Sequence, residues 1–432
     1  MFKQFKNSID KKYFQEVINL QCIHITTMIF GILTTALIVR SISTFDYGRY
    51  VFVLSIIDYL RLATLPGMNF SITKGVLKNY DHIYTASLKI IILSTFSISF
   101  IILSLIVFTD YFDLVTRVIL NENIRDHILS VDWYLIAIAS ILIIPTGLER
   151  YDGFMLAKRK FSLLRNIKLF NGILGVVLIG GSAFFFNKIE FILLGFFFHR
   201  IVNILIGNYF ALKERSTVVK NMPLQKGLIK EGIKYNIIDL LGLISRLDRI
   251  ILGTIDPKLL AVYYIAQRFP DLIKNNAKHF IVPVLIRWGK LDATSHWQNL
   301  RKKLLYFLIL GFIVAILISI ISVLGIPLVF GRAYNESIRY AVLLSVPIIF
   351  LFANHVIFDF DTVQGTGANY RLFNIPLPLI YGISILILVP KYQIMGLVYA
   401  IYLGALWKII SSVFVYIRYE KIYFKSLNKN SM

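Results

Sequence analysis

The stretch that decides the fold is Leu304–Phe330, LLYFLILGFIVAILISIISVLGIPLVF, which contains no charged residue. It is longer than the roughly 20 residues an α-helix needs to cross a bilayer. Ile18–Val39 repeats the pattern near the N-terminus, again without Asp, Glu, Lys or Arg. The whole chain agrees with these two runs. Of its 432 residues 57% are hydrophobic and only 16% charged, and the mean hydropathy is +0.70. Soluble domains carry about a quarter charged residues. The composition excludes a soluble, secreted or disordered chain and predicts an all-α polytopic membrane protein.

Outward from Leu304–Phe330, apolar runs predict helices at Ile18–Val39, Tyr50–Phe70, Tyr84–Phe108, Val131–Leu148, Leu169–Phe186 and Ile189–Leu212. Beyond a basic loop come Tyr235–Ile255, Leu260–Val284, Leu304–Phe330, Ile338–Thr362, Phe373–Val389 and Ile394–Ile417. This gives an N-terminal six-helix bundle over 1–212, a cytoplasmic linker over 213–234 and a C-terminal six-helix bundle over 235–432. A short echo relates the halves: Tyr50, Asp58 and Arg61 recur with the same spacing as Tyr263, Asp271 and Lys274. Halves with an even number of spans keep one orientation, so an axis along the membrane normal would relate them.

The net charge of +22 does not indicate a nucleic-acid partner, because the Lys and Arg are scattered between apolar spans. With the N-terminus inside, one inner loop holds Arg150, Lys158, Arg159, Lys160, Arg165 and Lys168, and another holds Lys213, Arg215, Lys220, Lys226, Lys230 and Lys234. The excess of cations on cytoplasmic loops fixes that orientation and puts both termini in the cytoplasm. The N-terminal segment reads as retained, because its apolar run is too long for a signal-peptide core. The lone Cys22 rules out a disulfide framework within one chain.

Several charges fall inside the spans. Span seven carries Asp239, Arg246, Asp248 and Arg249. Each costs roughly 2.5 to 3.5 kcal/mol near a bilayer centre, so this helix cannot face lipid all round. In span eight Tyr264, Gln267, Arg268, Asp271, Lys274, Asn275 and Lys278 share one face. Asp58 and Arg61 lie one turn apart in span two, and Arg200 with Asn203 does the same in span six. Internal pairs such as Asp58–Arg61, Asp239–Arg246 and Asp271–Lys274 would absorb part of this charge. The basic members outnumber the acidic ones, and an uncompensated buried cation is costly. The excess therefore points to a wet cationic cavity that takes an anionic ligand, and guanidinium groups suit phosphate. The residues expected to touch such a head group are Arg61, Arg200, Arg246, Arg249, Arg268 and Lys274. Asp58, Asp239 and Asp271 would hold those cations in place or carry a coupling proton.

Short motifs across the chain then give a resemblance. Tyr47-Gly48-Arg49-Tyr50 at the head of span two, Asp248-Arg249-Ile250-Ile251-Leu252-Gly253 in span seven, Phe330-Gly331-Arg332-Ala333-Tyr334 after span nine and Pro390-Lys391-Tyr392 with Gly396 occur in the order seen in Wzx-type O-antigen flippases. The chain resembles that family, polysaccharide exporters of the same superfamily as the MATE drug exporters. Gln393 stands where the family usually has Gly, and Ala261 replaces another Gly. The resemblance implies two six-helix bundles around a central cavity in the bacterial inner membrane. It implies as substrate an oligosaccharide repeat unit on undecaprenyl diphosphate, flipped from the cytoplasmic to the periplasmic leaflet by alternating access. Membrane lipids and other polysaccharide-assembly proteins are the further partners it implies; no cofactor, metal or covalent chemistry is called for.

Other motifs are set aside. Asp359-Phe360-Asp361 mimics a glycosyltransferase DxD site but has no nucleotide-binding domain around it, and is expected to cap the inner end of span ten. Gly365-Thr366-Gly367 reads as a turn, and the seven histidines show no paired metal spacing. Two rival functions remain. A MATE-type drug exporter would share the fold but would favour an acidic cavity for organic cations. A membrane polymerase or ligase of sugar units would want a large outer loop, and the longest outer segment, Thr109–Ser130, is short.

Overall fold

A computed structural model of the chain describes residues 11–107, 133–215, 222–244, 247–289, 293–364 and 376–429. Every regular element among them is helical. In chain order these are α1 (Lys11–Ser41), α2 (Thr44–Leu60), α3 (Met68–Leu77), α4 (His82–Val107), α5 (Trp133–Gly147), α6 (Tyr151–Ala157), α7 (Phe161–Gly175), α8 (Gly181–Phe186) and α9 (Ile189–Lys213). Then follow α10 (Met222–Ile244), α11 (Leu247–Ile255), α12 (Pro257–Gly289), α13 (Ala293–Gly325), α14 (Glu336–Ser345), α15 (Ile348–Gln364) and α16 (Pro376–Lys429). The chain folds as two compact units, Met1–Arg246 and Leu247–Met432.

Among the described residues, eight helices are long and apolar enough to cross a membrane, nine if the bent α2–α3 pair forms one span. The α16 stretch passes as one piece, although it turns sharply inside. The charge-loaded α10 and α12 do not pass, and α11, with nine residues, is too short by itself. Outward faces are apolar: Phe100 on α4, Phe185 on α8 and Leu328 beyond α13 are each more than 70% exposed. In water such surfaces would associate, whereas in a bilayer they meet acyl chains.

Two predicted spans are interrupted, each beside a proline, and a sharp turn separates two others. Span two gives way to a 3-10 turn at Arg61–Thr64 before Leu65 (φ 49°) and Pro66, and α3 departs at 50° to α2. Proline disfavours helical backbone in the residue before it and lacks an N–H to donate. Span ten divides into α14 and α15 at Val346-Pro347, where Pro347 has no N–H to donate although Val346 keeps helical backbone, with φ −58° and ψ −45°. In α16 the turn between the predicted spans eleven and twelve is at Gln393, with φ 50° and ψ −125°. This is the left-handed region that glycine adopts most easily, so the departure from the family's usual Gly falls where the backbone would favour one.

In the N-terminal unit α1 packs along α7, α4 along α5, and α3 between α6 and α10. Ile72, Ile83, Tyr84, Tyr151, Phe154 and Leu164 close a core there. Met222–Ile244, whose first half the sequence reading treats as linker, is continuous helix packed on α3. In the C-terminal unit α13 packs on α15, α12 on α14 and α15, and α11 on α16. Trp297, Phe352, Phe360 and Tyr419 form its core. Asp361 is buried in this cluster and accepts the Tyr419 hydroxyl at 2.6 Å. It ties α15 to α16 rather than capping a helix end, because it lies inside α15 and not past its last turn. Asp359's side chain and the Gly365-Thr366-Gly367 turn lie outside the described residues.

Candidate functional site

The polar face predicted for span eight lies on α12 from Tyr264 to Lys274, and the side chains of Asn275 and Lys278 lie outside the described residues. The helix opens on Asp256, whose carboxylate accepts the Lys258 N–H at 2.7 Å, and on Pro257 in its first turn, which needs no N–H partner there. From that start the three- and four-residue spacings bring Tyr264, Gln267, Arg268, Asp271 and Lys274 to one side. Arg249 comes to the same face from α11. Its guanidinium lies 3.8 Å from Asp271 and donates to Gln267 at 3.1 Å, with Tyr264 below it at 5.0 Å to the ring centroid. Arg268 covers the same ring at 4.4 Å. Lys274, exposed, reaches Asp271 at 3.9 Å. One carboxylate is thus shared by two cations, both beyond the 2.7–3.2 Å of a made hydrogen bond. Lys408, half-buried on α16, forms no ion pair among the described residues and lies within the electrostatic reach of Lys274.

A second carboxylate, Asp248, lies behind this face. It is 5% exposed and has no ion pair among the described residues. Its oxygens accept the Arg249 backbone N–H at 2.8 Å, the Tyr263 hydroxyl at 3.0 Å and the Tyr381 hydroxyl of α16 at 3.4 Å. The Tyr263 oxygen in turn accepts Gln267 Nε2 at 2.5 Å. A chain of hydrogen bonds therefore runs from the buried carboxylate through Tyr263 and Gln267 to the Arg249 guanidinium, fixing where that cation points.

The N-terminal unit gathers its charge differently. Arg200 on α9 meets Glu149 at 2.5 Å and covers the Phe196 ring at 4.9 Å. Lys168 on α7 bridges Glu149 at 3.3 Å and Asp152 at 2.8 Å. Asn203 donates to Glu149 at 2.8 Å and accepts from Asn171 and from the Tyr151 hydroxyl, the latter at 2.6 Å. His199 contacts the Asn171 carbonyl at 3.1 Å. Arg150, 3% exposed, donates to the Thr64 carbonyl at 2.7 Å and its hydroxyl at 2.6 Å, securing the break after α2.

Of the predicted contacts, Arg249, Arg268, Asp271 and Lys274 come together on α11 and α12. Arg200 is in the other unit, held by Glu149. Arg61 is exposed at the start of the 3-10 turn, and no ion pair joins it to half-buried Asp58 among the described residues. Asp239 lies on α10 with its side chain outside the described residues, and Arg246 lies outside them altogether. Sequence reasoning missed Glu149, Asp152 and Asp248 as partners. The signals available were Glu149 and Asp152 on either side of Arg150, and the three-residue spacing of Lys168 and Asn171.

Residues 14–285 match the model of a family described as polysaccharide biosynthesis protein. No curated protein is detectably similar to the chain in sequence. Among solved structures, the chain is similar to the lipid II flippase MurJ in an inward closed conformation, with TM-score 0.59 and 14% identity, covering 96% of this chain and 99% of that one. It is similar to an inward-facing multidrug resistance MATE family transporter of the MOP superfamily, with TM-score 0.58 and 14% identity over 96% and 100%. The Vibrio cholerae MATE transporter VcmN gives TM-score 0.55 and 16% identity over 96% and 98%. At these identities the likeness is one of fold: an all-α, multi-pass membrane architecture of the MATE type.

Proposed function

This chain belongs to the polysaccharide biosynthesis protein family, and on that premise we propose that it is a flippase of undecaprenyl-diphosphate-linked oligosaccharide, of the Wzx type, in the bacterial inner membrane. The head group is held by Arg249, Arg268 and Lys274 of the C-terminal unit, with Arg61 and Arg246 as further contacts, whereas Arg200 is already taken up by Glu149. The halves move the lipid-linked repeat unit from the cytoplasmic to the periplasmic leaflet by alternating access, without covalent chemistry. The observation that carries this reading is the sharing of Asp271 by Arg249 and Lys274 at 3.8 and 3.9 Å. Neither contact is a made hydrogen bond, so both cations keep donors for a phosphate, which supplies further charge and acceptors. Arg249, Arg268 and Lys274 gathered around the single carboxylate of Asp271 suit an anion better than an organic cation, which speaks against a drug exporter despite the shared fold.

The test is export of surface glycan by cells carrying single substitutions. Arg249→Ala, Arg268→Ala and Arg246→Ala should each abolish export with the protein still inserted in the membrane. Arg339→Ala, on an exposed turn of α14, should be nearly silent. Normal export in both Arg249→Ala and Arg268→Ala would overturn the assignment.

A further inference from the structure

The first half of α10 has two faces of opposite character. One face is bolted to the N-terminal unit. Gln225 accepts the Tyr80 hydroxyl at 3.1 Å, the Leu228 carbonyl accepts Ser71 at 2.6 Å, Glu231 meets Lys74 at 2.5 Å, and Asn236 accepts the Gly67 N–H at 2.6 Å. Where the two helices cross, a Cβ on Gly232 would strike Ser71 Oγ and Met68 Sδ, and one on Gly67 would strike the Gly232 carbonyl. The approach requires glycine on both sides.

The opposite face carries Lys226, Lys230 and Lys234, all exposed. At 100° per residue these three span about 80° of the helix, centred almost directly away from Leu228, Gly232 and Asn236. None of the three forms an ion pair among the described residues. The Glu231 carboxylate, within electrostatic reach of Lys234, is already bonded to Lys74. Ile233 completes the face at 47% exposed. The residue after Lys234, Tyr235, meets Phe70 at 4.2 Å between centroids with the rings tilted by 43°, while both remain about 40% exposed.

We propose that this lysine face is a docking surface for anionic phospholipid head groups of the adjoining leaflet. The occupant follows from the neighbours of the stripe. Exposed aromatic side chains are characteristic of the level where hydrocarbon meets head groups, and the Phe70–Tyr235 pair sets that level beside the last lysine. The helix continues from there toward the apolar Leu240–Ile244 end. Lysines within a turn or two of that boundary sit among phosphates, where each is worth about 1 kcal/mol against an acidic leaflet. Because α10 is clamped to α3, lipid bound there holds the N-terminal unit itself at the membrane surface.

The experiment uses the full-length protein reconstituted in nanodiscs of phosphatidylcholine with or without about a third phosphatidylglycerol. Native mass spectrometry then counts the lipid retained on release. The native protein should retain phosphatidylglycerol over phosphatidylcholine, and lose it at high salt. Lys226→Gln/Lys230→Gln/Lys234→Gln should weaken retention about a hundredfold, while Lys302→Gln/Lys303→Gln on α13 leaves it unchanged. Circular dichroism and monodisperse elution of the triple variant establish that it is folded. Equal retention by native and triple variant would overturn the proposal, as would equal retention of the two lipids. Capture of an acidic protein by the native stripe with phosphatidylglycerol retention unaffected by the triple substitution would also overturn it. The readout needs no oligosaccharide substrate, so its failure is separable from failure of the flippase reading.

Discussion

In the N-terminal unit Arg200 meets Glu149 at 2.5 Å and Lys168 meets Asp152 at 2.8 Å. In the C-terminal unit Arg249 and Lys274 reach a single carboxylate at 3.8 and 3.9 Å. Apart from Glu149, in the link between α5 and α6, both sets lie in helices that otherwise read as apolar or mixed, and both would be expensive in hydrocarbon. The first set is matched charge for charge within its own fold, with Asn203, Asn171 and Tyr151 filling the remaining hydrogen bonds. The second is drawn toward a shared acid without being satisfied by it. Density of charge therefore does not mark a ligand site; incomplete compensation does. A buried matched pair contributes little net stability but is costly to break, whereas an under-compensated group can be altered with less damage to folding.

The largest expected effect comes from breaking the matched set. Glu149→Gln leaves Arg200 without its anion and Lys168 with only Asp152, and should destabilise the protein by about 3 kcal/mol or more. Thermal unfolding in detergent should show a clear drop in Tm, and Glu149→Gln/Arg200→Gln should recover part of it. Arg249→Gln should leave the Tm close to native. If Glu149→Gln unfolds like the native protein and loses only transport, the N-terminal network is a ligand site too and the contrast fails.

The sharpest use of the contrast is at Asp271. Removing its charge by Asp271→Asn frees two cations for one ligand, so the affinity for a phosphate-bearing lipid should rise several-fold while export slows, because release is harder. An unchanged affinity would mean that Asp271 does not compete with the ligand. Tyr263→Phe acts one step further back. It leaves Gln267 without its acceptor and removes one hydroxyl from Asp248, a loss of about 1 kcal/mol. It should weaken binding about fivefold with little effect on insertion, since Arg249 keeps its charge but loses its bearing.

How much of this was legible in the sequence follows from how local each feature is. The helices follow from hydropathy, and each of the twelve expected stretches is mainly helix where the structure describes it, with the breaks at Leu65–Gly67 and Val346–Pro347 inside spans two and ten. The α12 stripe was legible because its members share one helix and periodicity alone aligns them. The breaks at Pro66 and Pro347 were written in the chain, yet hydrophobicity runs through both and masks them. Arg61 illustrates the result: the three-residue spacing from Asp58 promises a pair only if the helix continues, and at Arg61 it tightens into a 3-10 turn. The Glu149–Arg200 pair was hidden because its partners are 51 residues apart and Glu149 reads as the edge of a loop. Lys168 likewise reads as loop, although α7 begins at Phe161. The part played by Asp248 was hidden for the same reason as the Glu149–Arg200 pair. Its role depends on Tyr263 and Tyr381, and Tyr381 lies 133 residues away.

The smallest effect concerns a matched pair outside the spans. Lys74 donates to Glu231 at 2.5 Å at the α3–α10 contact, and this hydrogen bond holds the Glu231 carboxyl below the usual carboxylate range. A carboxyl whose folded value is depressed stabilises the fold above its unfolded value, and that stabilisation is lost as pH falls through the folded value. Amide exchange over α10 should therefore be slow at neutral pH and quicken on the acid side of the carboxylate range. Glu231→Gln should exchange faster at neutral pH and converge with the native protein in acid. The change should be slight, because both side chains are over 30% exposed and water screens the pair. The Gly67–Gly232 contact and the Ser71 hydrogen bond keep the helix docked without it. A large acid-induced release of α10 would mean that the ion pair, and not the close glycine crossing, is what holds the helix. The matched charges of the N-terminal unit would then be fastenings at its surface as well as in its interior.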